Sequence, residues 1–554
     1  MTSLDLERLI AGWRGPALAA LVALVACLPG LIAMPPLDRT EARVAQATAQ
    51  MLEHGEWTEP RVQDRPVHDF GPAVHWLQGL SVATTSSEEA RAIWAYRIPS
   101  LLAAMLAAAA AAWGAKHFWG NRQGAAAGVV LASSLLLSTQ GFMATADALL
   151  CALVTLAMLA LSRLYAAGRE GERLERRWKL MFWGAIAASI VIKGAVGPLI
   201  VGLTLASLAI WDRKAGWMSR LGWVWGLILI LAAVGPWAIA VTVASDGDFW
   251  RGAMRQLWQA VGGGGRSLGW PGYHLALSPL LFFPGSLLMI AAGVSAWRRR
   301  DETGVRFALA WLLPAWILFE LTPGKLPHYV LPLYPALAWL VAAALSQNLS
   351  RPALWGGIGL SAAVALAWSG VAVWLLGQYG DPSDQIYVSI AIVCLLASVF
   401  IGAWLMLQRE VITALMLTCA LGVLAHGALS AGLVPHLKQL WPSRTLVRVL
   451  HRAQLDPRQG LVPGPVAIVG FSAPSAVFLL GSETELGDAA AAARAVSDGR
   501  PAVVEDRSRD AFNRALARLR AKAAPVATVK SYDYVHGEPI SLTVYRPGPP
   551  RSAR

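Results

Sequence analysis

Several ionisable residues stand beside long apolar runs, where a charged side chain is costly unless it is solvated, paired or functional. They are Asp38, Glu41, Arg43, Arg97, Asp147, Lys193, Lys325, His328 and Tyr329. Several cationic donors directed at one point are what binding of a phosphate group requires. The residue types therefore indicate an anion-binding site, and the alternative is a set of ordinary charges at helix ends.

The elements that carry these residues are predicted to be membrane-spanning helices. The chain has 554 residues, of which 56% are hydrophobic and only 15% charged. Its apolar runs have about 18–25 residues, the length that crosses a bilayer core. We predict a polytopic α-helical membrane protein with about thirteen spans near residues 15–34, 97–115, 123–140, 142–164, 178–192, 195–212, 219–243, 274–297, 303–320, 328–346, 354–377, 384–407 and 411–433. The first run is read as a retained helix, with a signal peptide as the alternative.

The distribution of basic residues predicts the orientation of these spans. One set of alternate short loops carries sixteen Lys and Arg residues, and the opposite set carries five. Basic loops stay in the cytoplasm, so the N-terminus is predicted inside and the C-terminus outside. The ionisable residues named above are then predicted at one depth on the outer face of the membrane.

Two parts of the chain are predicted outside the membrane. The first is the loop 35–96, in which segments 42–57 and 68–82 are expected to form helices lying on the membrane surface. The second is the tail 436–554, which contains strand-like segments at 465–470, 501–505 and 540–546 and an amphipathic helix at 511–523. The chain is therefore divided into a transmembrane domain, 1–435, and a small periplasmic α/β domain, 436–554.

Other chemistries receive little support from the sequence. The net charge of +13 lies mostly in short loops, so no nucleic-acid partner is predicted. The four cysteines all lie within apolar runs, which favours buried thiols over disulfides or zinc ligands. No HExxH motif is present. No cofactor is predicted apart from a divalent cation between Asp147 and Glu41, which the sequence leaves open.

Seven blocks of the sequence resemble the bacterial aminoarabinose transferases and their relatives. They are LDRTEAR (37–43), QMLEHGEW (50–57), HWLQ (75–78), YRIPSLLAA (96–104), TADALL (145–150), IKG (192–194) and KLPHYVLPLYPAL (325–337). Those proteins belong to the dolichyl-phosphate-mannose protein mannosyltransferase superfamily, which has the GT-C glycosyltransferase fold. The resemblance implies an enzyme that transfers a sugar from a polyprenyl-phosphate donor to an acceptor at the outer face of the membrane, with inversion of the anomeric configuration.

The resemblance also implies roles for individual residues. It makes Arg43, Arg97, Lys193 and Lys325 phosphate contacts, with His328 as a further cation. Asp147 matches the second acidic position of the family, and Tyr329 and Tyr334 match aromatic positions near the sugar pocket. The acceptor is a lipid A-like molecule, a glycan or a protein, and membrane lipids surround the site.

Two departures from the family pattern fall in the first loop. Thr40 stands where relatives carry their main catalytic Asp, and Asp69 and Phe70 stand where relatives carry basic residues. Three accounts follow: Asp38 or Glu41 replaces the missing carboxylate, the acceptor needs little base, or catalysis has been lost. In the last case the chain binds a polyprenyl-phosphate lipid or assists a related transferase. A transporter of unmodified lipid is a third function class.

Overall fold

The structure is a computed structural model that describes residues 10–67, 71–87, 90–213, 215–262 and 269–548. Helices long and apolar enough to cross a membrane are Arg14–Ala33, Ile93–Trp119, Asp147–Arg169, Trp223–Ala244, Thr303–Leu321, Pro327–Leu345, Arg351–Tyr379, Pro382–Leu407 and Val411–His436. Two bent pairs meet the same test, Asn121–Ser133 with Leu135–Gly141 at 63° and Tyr273–Leu281 with Gly285–Arg298 at 112°.

The described residues therefore contain nine such helices, or up to eleven if each bent pair is one span. The predicted fifth and sixth spans coincide with helices Arg176–Lys193 and Val196–Asp212. The first of these helices begins with basic residues and the second has only 17 residues, so neither is among the nine. The predicted class, a polytopic helical membrane protein with a small C-terminal α/β domain, is confirmed. The exact count of about thirteen spans is not confirmed.

Small residues allow the first helices to approach closely. Ala19 and Ala23 of the helix Arg14–Ala33 are fully buried against Ala108 and Ala112 of the helix Ile93–Trp119. Because lipid tails are as apolar as the side chains themselves, close backbone packing rather than hydrophobicity drives helices together in a membrane. This packing fixes the C-terminal end of the first helix, from which the first loop begins.

The first loop folds onto the membrane helices as two helices and a hairpin. The helices are Thr40–His54, which we call the first-loop helix, and Ala73–Thr85. Strands β1 (Arg61–Val62) and β2 (Arg65–Pro66) pair between them. Thr48 joins the helices, because its hydroxyl lies 2.8 Å from His75 Nδ1 and 2.7 Å from Gln78 Oε1. Both predicted loop helices are therefore present near their expected positions.

The C-terminal domain is built on a five-stranded mixed sheet in the order β4-β3-β5-β7-β6. The strands are β3 (Ala467–Val469), β4 (Glu485–Gly487), β5 (Ala502–Glu505), β6 (Ala523–Asp533) and β7 (Glu538–Pro547). Helices Pro442–Arg452, Pro474–Leu480, Ala489–Ser497 and Arg509–Leu519 cover it. β3 pairs in parallel with β4 and β5, whereas β7 pairs antiparallel with β5 and β6.

The C-terminal domain is fastened to the first-loop helix by buried polar contacts. Arg91 Nη1 donates to Phe478 O at 2.9 Å and to Gln46 Oε1 at 2.8 Å. The same guanidinium forms an ion pair with Glu53 of the first-loop helix. The Phe478 ring stands edge-on to Tyr96, with 5.2 Å between ring centroids. The first-loop helix is thus held between the membrane helices on one side and this domain on the other.

Candidate active site

The centre of the site is an ion pair at the facing ends of two neighbouring helices. Asp147 is the first residue of helix Asp147–Arg169, and Lys193 is the last residue of helix Arg176–Lys193. A carboxylate at a helix N-terminus and an ammonium at a C-terminus both match the helix dipole. Lys193 Nζ donates to Asp147 Oδ1, and 16% of the Lys193 side chain is exposed against 4% for Asp147. Asp147 therefore holds Lys193 while leaving its ammonium accessible.

A tight turn adds a histidine and a tyrosine to this pair. The span Pro327–Leu345 starts with a 3₁₀ turn, Pro327–Leu333, whose prolines have no N–H to donate to a regular helix. The turn places His328 Nε2 3.9 Å from Asp147 Oδ2, and the His328 side chain is 18% exposed. Tyr329, also partly exposed, lies within electrostatic reach of the same carboxylate. The structure therefore brings together Asp147, Lys193, His328 and Tyr329.

A second basic group lies next to this cluster. Lys325 is buried, and its ammonium donates to Thr322 O at 2.8 Å and Gly269 O at 3.2 Å. His274 lies within electrostatic reach of both Lys325 and His328, and its Nδ1 is 3.6 Å from Glu320 Oε2. Lys325 is thus linked to the central ion pair through two histidines. The sequence analysis missed Glu320, although a carboxylate at the end of an apolar helix is the signal that identified the others.

Arg97 and Glu41 form a separate, fully enclosed ion pair. Arg97 Nε and Nη2 donate to Glu41 Oε1 and Oε2 at 2.7 and 2.9 Å, and neither side chain is exposed. The remaining guanidinium hydrogens reach carbonyls at the end of the first helix, including Met34 O at 2.7 Å and Pro35 O at 3.0 Å. A guanidinium has five N–H donors, and here they all point into the protein. This geometry does not fit the phosphate contact predicted for Arg97.

The Glu41 carboxylate is equally committed. Besides the guanidinium, it accepts backbone N–H groups from Leu37 at 2.9 Å and from Ala144 at 2.8 Å. A carboxylate that already accepts four hydrogen bonds has little capacity left for a proton or a metal ion. Glu41 therefore does not fit the predicted role of replacement base, and the pair Asp147 and Glu41 does not fit a divalent cation. Its contact with Ala144 instead ties the first loop to the chain just before Asp147.

Asp38 is turned toward the C-terminal domain. Its carboxylate accepts Ser475 N–H at 2.9 Å and Ser475 Oγ–H at 2.7 Å, and its backbone N–H donates to Tyr534 Oη at 2.6 Å. These partners lie in the C-terminal domain rather than beside Asp147. The predicted role of Asp38 as a replacement base at the ion pair therefore does not fit its position, which is that of an anchor between the loop and the domain.

The titration of Asp38 leads to a pH prediction. Burial raises the pKa of Asp38 to about 6, although its bonds from Ser475 oppose the shift. The pKa of Asp in an unfolded chain is about 3.9. Between these two pKa values the folded protein binds more protons than the unfolded protein, so its stability rises as pH falls. The unfolding temperature of the native protein, relative to Asp38→Asn, should therefore rise from pH 7 to pH 5. Thermal unfolding of both proteins at each pH checks this. A difference between their unfolding temperatures that does not change with pH would contradict it.

The first-loop helix packs against the chain neighbours of the ion pair, and no contact between Arg43 and Asp147 or Lys193 is seen among the described residues. Val44 of this helix is buried against Ala146 and Ile192, the chain neighbours of Asp147 and Lys193. Thr40 lies one turn before Val44 and so shares its helix face. Burial, and then the nearby charge of Arg39, lowers the pKa of Arg43. Thr40, which the resemblance aligns with a catalytic Asp, therefore lies on the helix face that bears Val44 and offers a hydroxyl there.

The remaining predicted site residues lie in different places. Tyr334 is fully buried, with its ring centroid 5.6 Å from that of Phe282, so it lines the helix core rather than an open pocket. Asp69 lies outside the described residues. Gly71, two positions later, donates its N–H to Ile192 O at 3.0 Å. Gly71 is therefore bonded to the residue that precedes Lys193.

Comparisons with known proteins show which families the sequence is similar to. Residues 64–239 match the family model of the dolichyl-phosphate-mannose-protein mannosyltransferases. The undecaprenyl phosphate-alpha-4-amino-4-deoxy-L-arabinose arabinosyl transferase of Pseudomonas aeruginosa is 30% identical over 344 residues, which cover 59% of this chain and 60% of that protein. The protein of the same name in Pectobacterium atrosepticum is 24% identical over 410 residues, covering 71% and 72%. The chain thus spans about 60% of the length of its Pseudomonas aeruginosa relative.

The fold extends the match beyond these segments. The crystal structure of ArnT from Cupriavidus metallidurans bound to undecaprenyl phosphate superposes with a TM-score of 0.74, covering 95% of this chain and 97% of that one. Its sequence identity is 20%, so this likeness concerns the fold alone. The predicted resemblance is confirmed: residues 64–239 are similar to the dolichyl-phosphate-mannose-protein mannosyltransferases, a longer stretch is similar to the aminoarabinose transferases, and the fold is that of ArnT.

Proposed function

We propose that the protein is an inverting glycosyltransferase that takes a sugar from a polyprenyl-phosphate donor. The single observation that supports this most strongly is the Asp147–Lys193 ion pair with His328 beside it. These groups lie at the ends of membrane helices, where a lipid-borne phosphate can reach them from the bilayer. The names of the relatives, which specify undecaprenyl phosphate and an amino sugar, support the same donor class.

The cations act on the leaving group. The bond between the anomeric carbon and the phosphate oxygen breaks, and its electron pair stays on the phosphate. Lys193 and Lys325 stabilise that growing negative charge, because fixed cations need no reorganisation during the reaction. His328 can add a hydrogen bond from its ring N–H. The acceptor oxygen forms its bond to the anomeric carbon from the opposite side, which inverts the configuration.

The acceptor is inferred from the three first-loop residues that were considered as the base or stand at its position, Asp38, Thr40 and Glu41. Asp38 and Glu41 are committed to other partners, and Thr40 cannot accept a proton at neutral pH. A phosphate monoester needs no such base, since its second pKa is near about 6 and it is largely ionised at pH 7. We therefore propose a lipid A-like acceptor that attacks through a phosphate oxygen.

Thr40→Asp tests this choice of acceptor. Turnover with a phosphate-monoester acceptor should stay within about threefold of the native value, because no proton has to be removed. With an acceptor that offers only hydroxyl groups, the new carboxylate should raise turnover by about 10²-fold or more. The assay is the release of polyprenyl phosphate, with Thr40→Asn as the uncharged control. A rise of about 10²-fold with the phosphate acceptor would show that the native chain lacks a base it needs.

The committed carboxylates of the first loop also favour a second candidate function. A chain whose Asp38 and Glu41 carboxylates are committed to other partners could bind a polyprenyl-phosphate lipid or assist a related transferase without transferring sugar itself. Lipid mass spectrometry of cells with and without the protein separates the two functions. An active transferase predicts one glycosylated lipid that disappears with the protein and returns with the native chain. If Lys193→Met, at equal abundance, restores that lipid as well as the native chain does, the second function is favoured.

The proposed location is a bacterial inner membrane. In this arrangement the N-terminus is cytoplasmic, residues 1–435 form the transmembrane domain, and residues 436–554 form a periplasmic domain. The excess of basic residues in one set of loops supports this orientation. A reporter that is active only in the periplasm, fused after Arg554, should be active.

A further inference from the structure

A cleft of about 270 Å³ lies between the first loop and the C-terminal domain. Asp38 and Arg39 of the first loop form one wall. The segment 470–474 after β3, the residues after β5 and the turn between β6 and β7 form the others. None of the chemistry proposed above uses this cleft.

The cleft lies where the connections of the parallel strands diverge. The helix Pro474–Leu480, which follows β3, packs on the sheet face that bears Ile468. The helix Arg509–Leu519, which follows β5, packs on the opposite face, which bears Val469. Because β3 and β5 are adjacent and parallel, a crevice remains outside their carboxyl ends. Open α/β sheets bind their ligands at this kind of position.

The lining of the cleft indicates the class of ligand. Phe471 and Tyr534 supply aromatic rings, and Glu505 and Arg507 supply hydrogen-bonding groups. The lining carries four carboxylates (Asp38, Glu505, Asp533 and Glu538) against two arginines (Arg39 and Arg507). This excess of negative charge disfavours a phosphate group and favours neutral or amine-bearing ligands. A sugar with hydroxyl and amino groups meets these requirements.

The first loop connects the cleft to the ion pair. Asp38 lies in the cleft wall, and Thr40, two residues later, begins the helical turn of about 5.4 Å that leads to Val44, which packs against the chain neighbours of Asp147 and Lys193. Two residues span at most about 7 Å, so one short saccharide could extend from the cleft to Lys193. We propose that the cleft binds the phosphate-free sugar part of the acceptor, while the acceptor phosphate lies at the ion pair. This inference rests on the proposed function for the identity of the acceptor.

A cleft-filling substitution tests the proposal. Ser472 lines the cleft, is exposed, and has no hydrogen bond within the described residues, so Ser472→Trp should fill the space without breaking a contact. Ser497 is an exposed serine at the end of the helix Ala489–Ser497 in the same domain, and Ser497→Trp is the matched control. The probe is a glucosamine tetrasaccharide, titrated into the full-length protein in detergent and followed by saturation-transfer NMR.

The native protein and Ser497→Trp should bind this probe equally, and Ser472→Trp should bind it at least about tenfold more weakly. Inorganic phosphate should not compete. Arg507→Gln, at a side chain that is 61% exposed, removes one guanidinium from the cleft and should weaken binding about fivefold. It therefore replaces Ser472→Trp as the test if the tryptophan variant fails to fold.

Three results would overturn the inference: no binding by the native protein, equal binding by Ser472→Trp and the native protein, or displacement of the probe by phosphate. The test is independent of turnover. If no transferase activity is found but the probe is lost only from the cleft variants, the binding site stands and the proposed function fails. If activity is present and a folded Ser472→Trp protein keeps both probe binding and the native KM for acceptor, the inferred cleft site is wrong and the proposed function is retained.

Discussion

Replacing Asp147 by Asn should lower turnover by about 10²-fold or more. Asp147 is the group that holds the Lys193 ammonium at the facing helix ends. Without its charge, Lys193 loses the partner that positions it against the leaving phosphate. Losing one preorganised electrostatic group of this kind costs about 10²–10³ in rate. The measurement is the single-turnover release of polyprenyl phosphate from a polyprenyl-phosphate sugar, with donor and acceptor saturating.

Two further variants test the assignment. The neutral double variant Asp147→Asn/Lys193→Met leaves no unpaired buried charge and should be about as slow as the single variant, because groups that act as a unit are not additive. Asp381→Asn is the control. It removes a carboxylate from an exposed ion pair with Lys438, 2.8 Å long, and should turn over normally. Normal turnover in a folded Asp147→Asn protein would exclude the ion pair from the chemistry.

Replacing Arg97 by Ala should strongly destabilise the packing of the first loop on the membrane helices. It leaves the Glu41 carboxylate buried without its partner and frees the carbonyls at the end of the first helix. Breaking a buried ion pair in this way costs about 3–5 kcal/mol. Thermal unfolding in detergent should show a clear fall in the unfolding temperature. Arg97→Lys should recover little, since an ammonium cannot make the two parallel bonds to the carboxylate.

Arg61→Ala supplies the matched comparison. Arg61 also pairs with a glutamate in the first loop, Glu59, at 2.7 Å, but 44% of its side chain is exposed. Exposed pairs contribute about 0–1 kcal/mol, so this variant should unfold almost like the native protein. Equal small effects at Arg97 and Arg61 would show that the buried pair does not hold the first loop in place.

The sequence predicted the membrane helices and the loop helices because each leaves a local pattern of its own. Long apolar runs identified the helices Ile93–Trp119 and Thr303–Leu321 to within a few residues. In the C-terminal domain, β5 and β7 were found from short β-branched runs, but β6 was missed. Its segment follows the amphipathic helix directly and begins AAPVATV, a pattern that becomes a strand only through pairing with β7.

The site was predicted less well, because the depth of a residue in the membrane does not determine where its side chain points. Glu41 and Arg97 were predicted at the same depth as Asp147, yet their side chains point into the protein and pair with each other. Asp38, two residues before Thr40, points to the C-terminal domain. Residues that are close together on a short loop can direct their side chains to different partners, and the sequence does not specify which partner each side chain reaches. The tertiary partners that decide between them, Ala144 and Ser475, lie far along the chain.

The most direct test of the proposed transfer is the fate of the donor lipid in a purified system. The protein, embedded in lipid nanodiscs, is mixed with a polyprenyl-phosphate aminoarabinose donor and a lipid A-like acceptor, and both lipids are followed by mass spectrometry. The predicted result is free polyprenyl phosphate and glycosylated acceptor in equal amounts, with both lost in Asp147→Asn. An intact donor that binds the native protein but yields neither product would contradict the proposed transfer.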